Sequence, residues 1–591
     1  MAKIVQTDEL YVTSDVRESS LRPAYVGQNY AISATHYFAT LAGFRVLERG
    51  GNAIDAGVAA GITLGVVEPY LTSFSGVAPI MIHLADRGET VTISGLGRWP
   101  RAANIEYFER HFGGDMPVSI HQSVVPAAPD AWITALEQYG TISFAEAAAT
   151  AIELAERGFG VYPRLAAAFA GIADQIRAWP SSAAVFMPGG QMPGVRELFV
   201  QKDLANTLKF LVAAEADAAK HGRQAGLQAA RREFYEGRPA QLIDQFSREL
   251  DGFIRASDLA EFRVKIEPPV KTRYKEYEVY ACGPWCQGPA LLQALNLVER
   301  VDLKALGHNS AEYLHTLVEA IKLAMADRDR YYGDPDFVRV PMNGLLAKEY
   351  AADRLGLIDA ARAHPEMPPA GDPWRYEGSE PIAAGYRRPE PVDAPPEPDT
   401  SYVCVVDRWG NAFSATPSDS GTSSPIVPGL GMIISSRGRQ SWLDRSHTSV
   451  LEPWKRPRLT PNPALALRDG KVFMPFGCPG GDAQTQAMLQ VFLNVVEFDM
   501  DPQTAIEQPR AVSQSFPNSF WPHRYRPGIL NVESGVPERV RDALAAKGHV
   551  VEPWPMFVQA ACGVCTIVAE PEQGVLIGGA DPRRESYALG W

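Results

Sequence analysis

The chain has 591 residues, of which 46% are hydrophobic and 21% charged, and it carries a net charge of −13 at pH 7. These are globular values. The acidic balance excludes a general nucleic-acid binder, which needs a basic footprint, but a local arginine cluster can still hold an anionic small molecule. The length exceeds that of one ordinary core, so two domains or one large composite unit are expected.

The first ten residues, Met1 to Leu10, have no apolar core after Lys3, so a cytoplasmic location is expected. From about residue 30 to 301 helical patterns alternate with short strands. Spacing predicts a helix over 55–64, a strand over 80–84 and its hairpin partner over 91–94. The best apolar run, 56–67, is shorter than the roughly 20 residues that span a bilayer, and no membrane partner is expected. Further helices are predicted over 310–331 and around 343–358. Residues 365–398 are rich in proline and glycine and read as a connector. After Thr400, alternating strands are expected as far as Phe476, then a helix over 483–496. A final strand pair, 563–568 and 574–577, is expected to end the chain. Periodicity alone leaves α/β and α+β open.

Six cysteines in so long a chain fit a reducing compartment. Cys562 and Cys565 have CxxC spacing, but no second pair and no histidine pair lies near. They read as buried strand cysteines, and no metal is assigned. A phosphate-binding GxxxxGK[ST] loop is absent from the sequence, and no cofactor is expected.

Asp399-Thr400-Ser401-Tyr402-Val403-Cys404-Val405-Val406-Asp407 follows the proline-rich stretch. It reads as a strand entering a hairpin at Gly410-Asn411. On this segment alone a strand-opening threonine is the simpler reading. If the chain is cut between Asp399 and Thr400, however, Thr400 carries a hydroxyl and a free α-amine. An α-amine titrates at about 7.7–8.0, so it can act as a base near neutral pH.

Other motifs favour that second reading. They include Gly50-Gly51-Asn52-Ala53-Ile54-Asp55-Ala56 with Glu68-Pro69, then Phe234-Tyr235-Glu236-Gly237 and Ala326-Asp327-Arg328. Pro479-Gly480-Gly481 and Ala580-Asp581-Pro582-Arg583-Arg584 follow. Together with the Thr400 segment they resemble the gamma-glutamyltranspeptidase family of N-terminal nucleophile hydrolases over nearly the whole chain. The resemblance implies an α+β fold, a four-layer αββα sandwich. It also implies self-cleavage into a large subunit, 1–399, and a small subunit, 400–591. The two would pair as a heterodimer, with further dimerisation left open. Thr400 would be the nucleophile, Gly480 and Gly481 the oxyanion hole, and Ser418 or Thr416 the second hydroxyl. Ser401 and Tyr402 depart from the family's usual threonine and histidine.

The substrate-holding positions differ more. Leu96 stands where the family has its carboxylate-binding arginine, with Arg98 nearby. Pro457-Arg458 replaces a serine pair. Ser435-Ser436-Arg437-Gly438-Arg439-Gln440 replaces an acidic, amine-binding segment. Arginines there repel an ammonium and attract a carboxylate. The sequence therefore resembles a divergent branch with cephalosporin-acylase-like and oxamate-amidohydrolase-like members. The expected activity is cleavage of amide bonds in small carboxylate-bearing molecules. Arg98, Arg437, Arg458 and Asp482 are the candidate substrate contacts. The rivals are a genuine gamma-glutamyl hydrolase or transferase acting on glutathione-like donors, and an uncleaved relative that only binds.

Overall fold

The computed structural model describes residues 20–379, 386–387, 390–393 and 400–591. Among these residues, two seven-stranded sheets carry the architecture. In the first, Val403–Val406 lies between Ala31–Ala34 and Ala412–Ala415, antiparallel to both. Ile80–Leu84 and Glu89–Ile93 extend the sheet beyond Ala412–Ala415. The second sheet runs through Val575–Ala580, Cys565–Glu570, Lys471–Gly477, Ala464–Arg468 and Tyr277–Ala281.

Three apolar layers hold the sheets and helices together. Met81, Tyr402, Cys404, Leu465, Val472, Cys565 and Ile567 pack in one buried cluster drawn from both sheets. Helices Ala53–Val67, Ala128–Tyr139 and Phe144–Arg157 share a core with Val403, Val405 and Phe413 of the first sheet. Helices Gly288–Val298, Ala311–Tyr331 and Gln484–Val496 do so with Val279, Ala464 and Phe476 of the second. Alternating strand residues thus face a helix layer on one side and the other sheet on the other. This is the expected αββα sandwich.

The helix Ala53–Val67 is buried along its whole length. Its glycines admit close neighbours: a Cβ on Gly57 would meet the Phe413 ring at 2.1 Å. A capping box between Asn52 and Asp55 starts it. Asp407 accepts from the Ala53 amide at 2.9 Å, tying this helix to the turn after Thr400.

Two expectations need correction. Residues 416–463 are not a run of strands. Apart from the short helix Arg437–Gln440, they form loops with isolated bridges. Asp419, Gly429 and Gly431 take positive φ there, which interrupts extended pairing, and side chains such as Ser75 and Gln122 bond the loop backbone instead. The chain also ends on one more strand, Tyr587–Gly590, which pairs with Ala31–Ala34. Within the predicted connector, Met367 and Trp374 are buried, and Trp374–Glu377 is helical. No helix among the described residues is long and apolar enough to cross a membrane.

Candidate active site

Thr400 opens the central strand and is 1% exposed. It bridges Ser418 in an antiparallel contact. Ser401 N donates to Pro417 O at 2.9 Å, and Ser418 N donates to Val77 O at 2.9 Å. Backbone pairing therefore brings the two hydroxyls together, with Thr400 Oγ1 and Ser418 Oγ 2.9 Å apart.

Arg437 completes the arrangement. Its Nη2 donates to Ser418 Oγ. A guanidinium has only donors, so Ser418 Oγ accepts from it and its own proton is available to Thr400 Oγ1. Asp419 lies 3.9 Å from Arg437 Nε. Its carboxylate also accepts from the Ser436 amide at 3.0 Å and from the Ser435 and Ser436 hydroxyls. Burial raises the Asp419 pKa, while Arg437 and the two serines oppose that rise. The first serines of the segment that replaces the family's amine-binding one thus hydrogen-bond a carboxylate.

The glycine loop lies on the other side of the nucleophile. Gly480 and Gly481 have φ of 133° and 55°, a region that favours glycine. They lead into the helix Gln484–Val496, whose N-terminus favours negative charge. Gln484, at the start of the helix, brings this region to Thr400: its Nε2 donates to Thr400 Oγ1 at 3.4 Å. On the strand before the loop, the Tyr402 ring lies where a Gly477 side chain would stand. A cavity of ≈ 440 Å³ adjoins the loop, lined by Gly480, Gly481, Phe516, Phe520, Arg524 and Trp554 among others.

The sequence did not single out Gln484 or Glu68. Glu68 is fully buried and accepts from Ser401 Oγ at 2.6 Å and Thr35 Oγ1 at 2.9 Å. Burial pushes its pKa up to about 7 against those two hydrogen bonds. The Glu-Pro pair was visible as a motif, but its link to Ser401 spans 333 residues.

The remaining candidates lie elsewhere or are otherwise engaged. Thr416 is buried, and its hydroxyl has no hydrogen-bond partner. Arg98 Nη2 bonds Asp336 at 2.6 Å, and its Nη1 bonds Trp454 O at 2.8 Å and Asp334 at 3.4 Å. Arg458 lies over the Trp442 ring at 4.7 Å and donates to Arg328 O at 3.1 Å. Burial and then Arg328 lower its pKa to about 9. Asp482 pairs with buried Arg328 and accepts from the Ser519 amide at 2.7 Å. Asp399, on the predicted cleavage bond, lies outside the described residues. All six cysteines are buried, and none is in a disulfide among the described residues.

The stacked sheets and the hydroxyl at the head of a central strand are those of N-terminal nucleophile hydrolases. The profile of the family described as Gamma-glutamyltranspeptidase matches residues 39–591, and the chain belongs to that family, whose enzymes act on amide bonds. It is 32% identical over 569 residues to the Acylase ACY 1 proenzyme of Pseudomonas sp. (strain SE83), covering 94% of this chain and 92% of that one. It is 30% identical over 575 residues to the Glutathione hydrolase proenzyme of Bacillus subtilis (strain 168), covering 96% and 92%. The crystal structure of cephalosporin acylase from Bacillus halodurans superposes with a TM-score of 0.84 at 26% identity, covering 98% of this chain and 99% of that one.

Proposed function

We propose that this protein is a self-processing threonine amidohydrolase of the acylase type, acting on small amides whose acyl part bears a carboxylate. The observation that carries the proposal is the chain of contacts from Arg437 through Ser418 to Thr400. It sets a second hydroxyl against the threonine oxygen and a cation against that hydroxyl.

Cleavage before Thr400 frees its α-amine. The hydroxyl attacks the substrate amide carbon and its proton passes to that amine. Ser418 donates to the threonine oxygen as charge develops on it. The carbonyl oxygen becomes an oxyanion that the Gly480 and Gly481 amides receive, in the manner of an oxyanion hole. The amine product leaves with a proton, and water then hydrolyses the ester and restores Thr400. Arg437 is the proposed ligand for the acyl carboxylate. Arg98, Arg458 and Asp482 are left out of the substrate site because protein partners already engage them. Phe516, Phe520, Trp554 and Arg524 line the space proposed for the leaving amine.

The names of the relatives support the acylase reading on one side and glutathione hydrolysis on the other. Arginine at 437 favours the former, because the ammonium of a gamma-glutamyl donor would be repelled there. The six reduced cysteines support a cytoplasmic site of action.

Intact mass and N-terminal sequencing of freshly purified protein test maturation: a fragment beginning Thr400-Ser401-Tyr402 is expected. Thr400→Ala is expected to remain a single chain with no amide turnover, and wild-type turnover in that variant would overturn the mechanism. Dicarboxylic monoamides are expected to be cleaved faster than a gamma-glutamyl anilide, and the reverse order would favour the glutathione-like alternative.

A further inference from the structure

The CxxC segment has no metal or redox role in the reading above, yet its first cysteine stands directly behind the glycine loop. A Cβ built on Gly480 would meet Cys562 Sγ at 2.0 Å. The sulfur therefore touches the backbone whose amide is proposed to face the oxyanion. Cys562 is fully buried and holds φ of 71°, a conformation that a residue with a side chain rarely adopts.

The structure around it explains how that conformation is held. Arg510 Nη1 donates to Cys562 O at 2.7 Å and to Ala561 O at 2.9 Å. Arg510 Nη2 bonds Asp581 Oδ2 at 2.6 Å. The same carboxylate oxygen accepts from Val564 N at 2.9 Å. The turn is thus pinned on both sides of Gly563, and the strand Cys565–Glu570 continues from it. Towards the proposed reaction centre, its thiol meets Gly480.

We infer that Cys562 is a positioning residue for the oxyanion hole: its sulfur sets how far the Gly480 backbone can retreat, and Arg510 with Asp581 fixes the sulfur. This rests on the proposed role of Gly480. An oxyanion donor acts only when it lies at hydrogen-bond distance from the developing charge, and a shift of about 1 Å costs on the order of 10²-fold in rate. A smaller side chain leaves the loop room to relax backwards. The proposed ligand of the acyl carboxylate is Arg437 and not this loop, so ground-state binding there is expected to be kept.

The test uses the matured enzyme, with kcat and KM expressed per active site titrated by the acylation burst. Cys562→Ala is expected to lower kcat about 10- to 100-fold with KM changed less than about twofold. Cys562→Ser keeps a heavy atom in place and is expected to stay within about threefold of wild type. Arg510→Lys keeps the charge but loosens the two carbonyls. It is expected to give the same kcat-only pattern at smaller amplitude, and it serves if Cys562→Ala does not fold. An unchanged kcat per titrated site in Cys562→Ala or Arg510→Lys, or a loss carried by KM, would overturn the inference. Thr400→Ala runs alongside. If it retains activity, the reading of the site fails. If it is inactive while Cys562→Ala is fully active, only the role of Cys562 fails.

Discussion

Two arginine corners of this molecule read alike in sequence and differ in structure. Arg98 sits with Arg456 around Asp334, Asp336 and Glu267. Arg456 makes bonds of 2.8 and 3.0 Å to Asp334 and of 3.0 Å to Glu267, and Lys265 adds a further contact to Asp336. Arg437 sits instead among hydroxyls, with Asp419 at 3.9 Å from its Nε. In the first corner the carboxylates take up the guanidinium donors, and the result is a structural brace. In the second, among the described residues, Asp419 is itself bonded to serines, and a guanidinium N–H goes to the hydroxyl that faces Thr400. The comparison teaches that a cation's neighbours, not its presence, decide whether it can serve chemistry.

Exchanging each arginine for methionine sharpens the contrast. Arg437→Met should lower kcat by roughly 10²-fold or more, because Ser418 loses its charged hydrogen-bond donor and the proposed acyl carboxylate loses its cation. Ser418→Ala should abolish most of the kcat part of that effect in the double variant, which steady-state kinetics on all four proteins would show. Arg98→Met should leave kcat per active site within about threefold. It should cost about 1–3 kcal/mol of stability, read from urea unfolding, because it removes charged hydrogen bonds from a mostly buried brace. If Arg98→Met changed kcat and Arg437→Met changed only stability, the assignment of the two corners would be reversed.

Glu68 gives the most specific effect, because it shows only as a dependence on pH. Its pKa is pushed from 4.5 to about 7 in the folded protein. Between those values the folded state holds a proton that the unfolded state has lost. The contribution of this group to stability therefore falls as pH rises from about 4.5, and levels off above about 7. Glu68→Gln removes that slope. Relative to wild type it should gain stability between pH 5 and pH 8, by up to about 3 kcal/mol in order of magnitude. Urea midpoints at the two pH values measure it, and a constant difference would contradict the shift.

Much of this was legible because it is written locally. The strand 80–84, the helix 483–496 and the strand after Thr400 carry their own spacing, and the Thr400 segment and the Pro-Gly-Gly turn carry their own chemistry. What was not legible depends on convergence across the chain. Glu68 reaches Ser401, Gln484 reaches Thr400 and Cys562 reaches Gly480 through the packing of separate elements, and no short window of sequence contains any of the three pairs. Arg98 was misleading for the same reason, since Asp334 and Asp336 lie more than two hundred positions away in sequence. The loops of 416–463 defeated periodicity because their backbone groups are satisfied by side chains and scattered bridges rather than by a ladder with a period of two.

The order of strands in the first sheet has one more consequence. Val403–Val406 and Ala412–Ala415 are flanked by Ala31–Ala34 on one side and Ile80–Leu84 on the other, so residues from before and after position 400 alternate across a single hydrogen-bonded surface. A scission between Asp399 and Thr400 would leave two polypeptides woven through each other. They could not part without tearing a buried sheet. Dilution alone should therefore never dissociate them, and the cut protein should melt as one body.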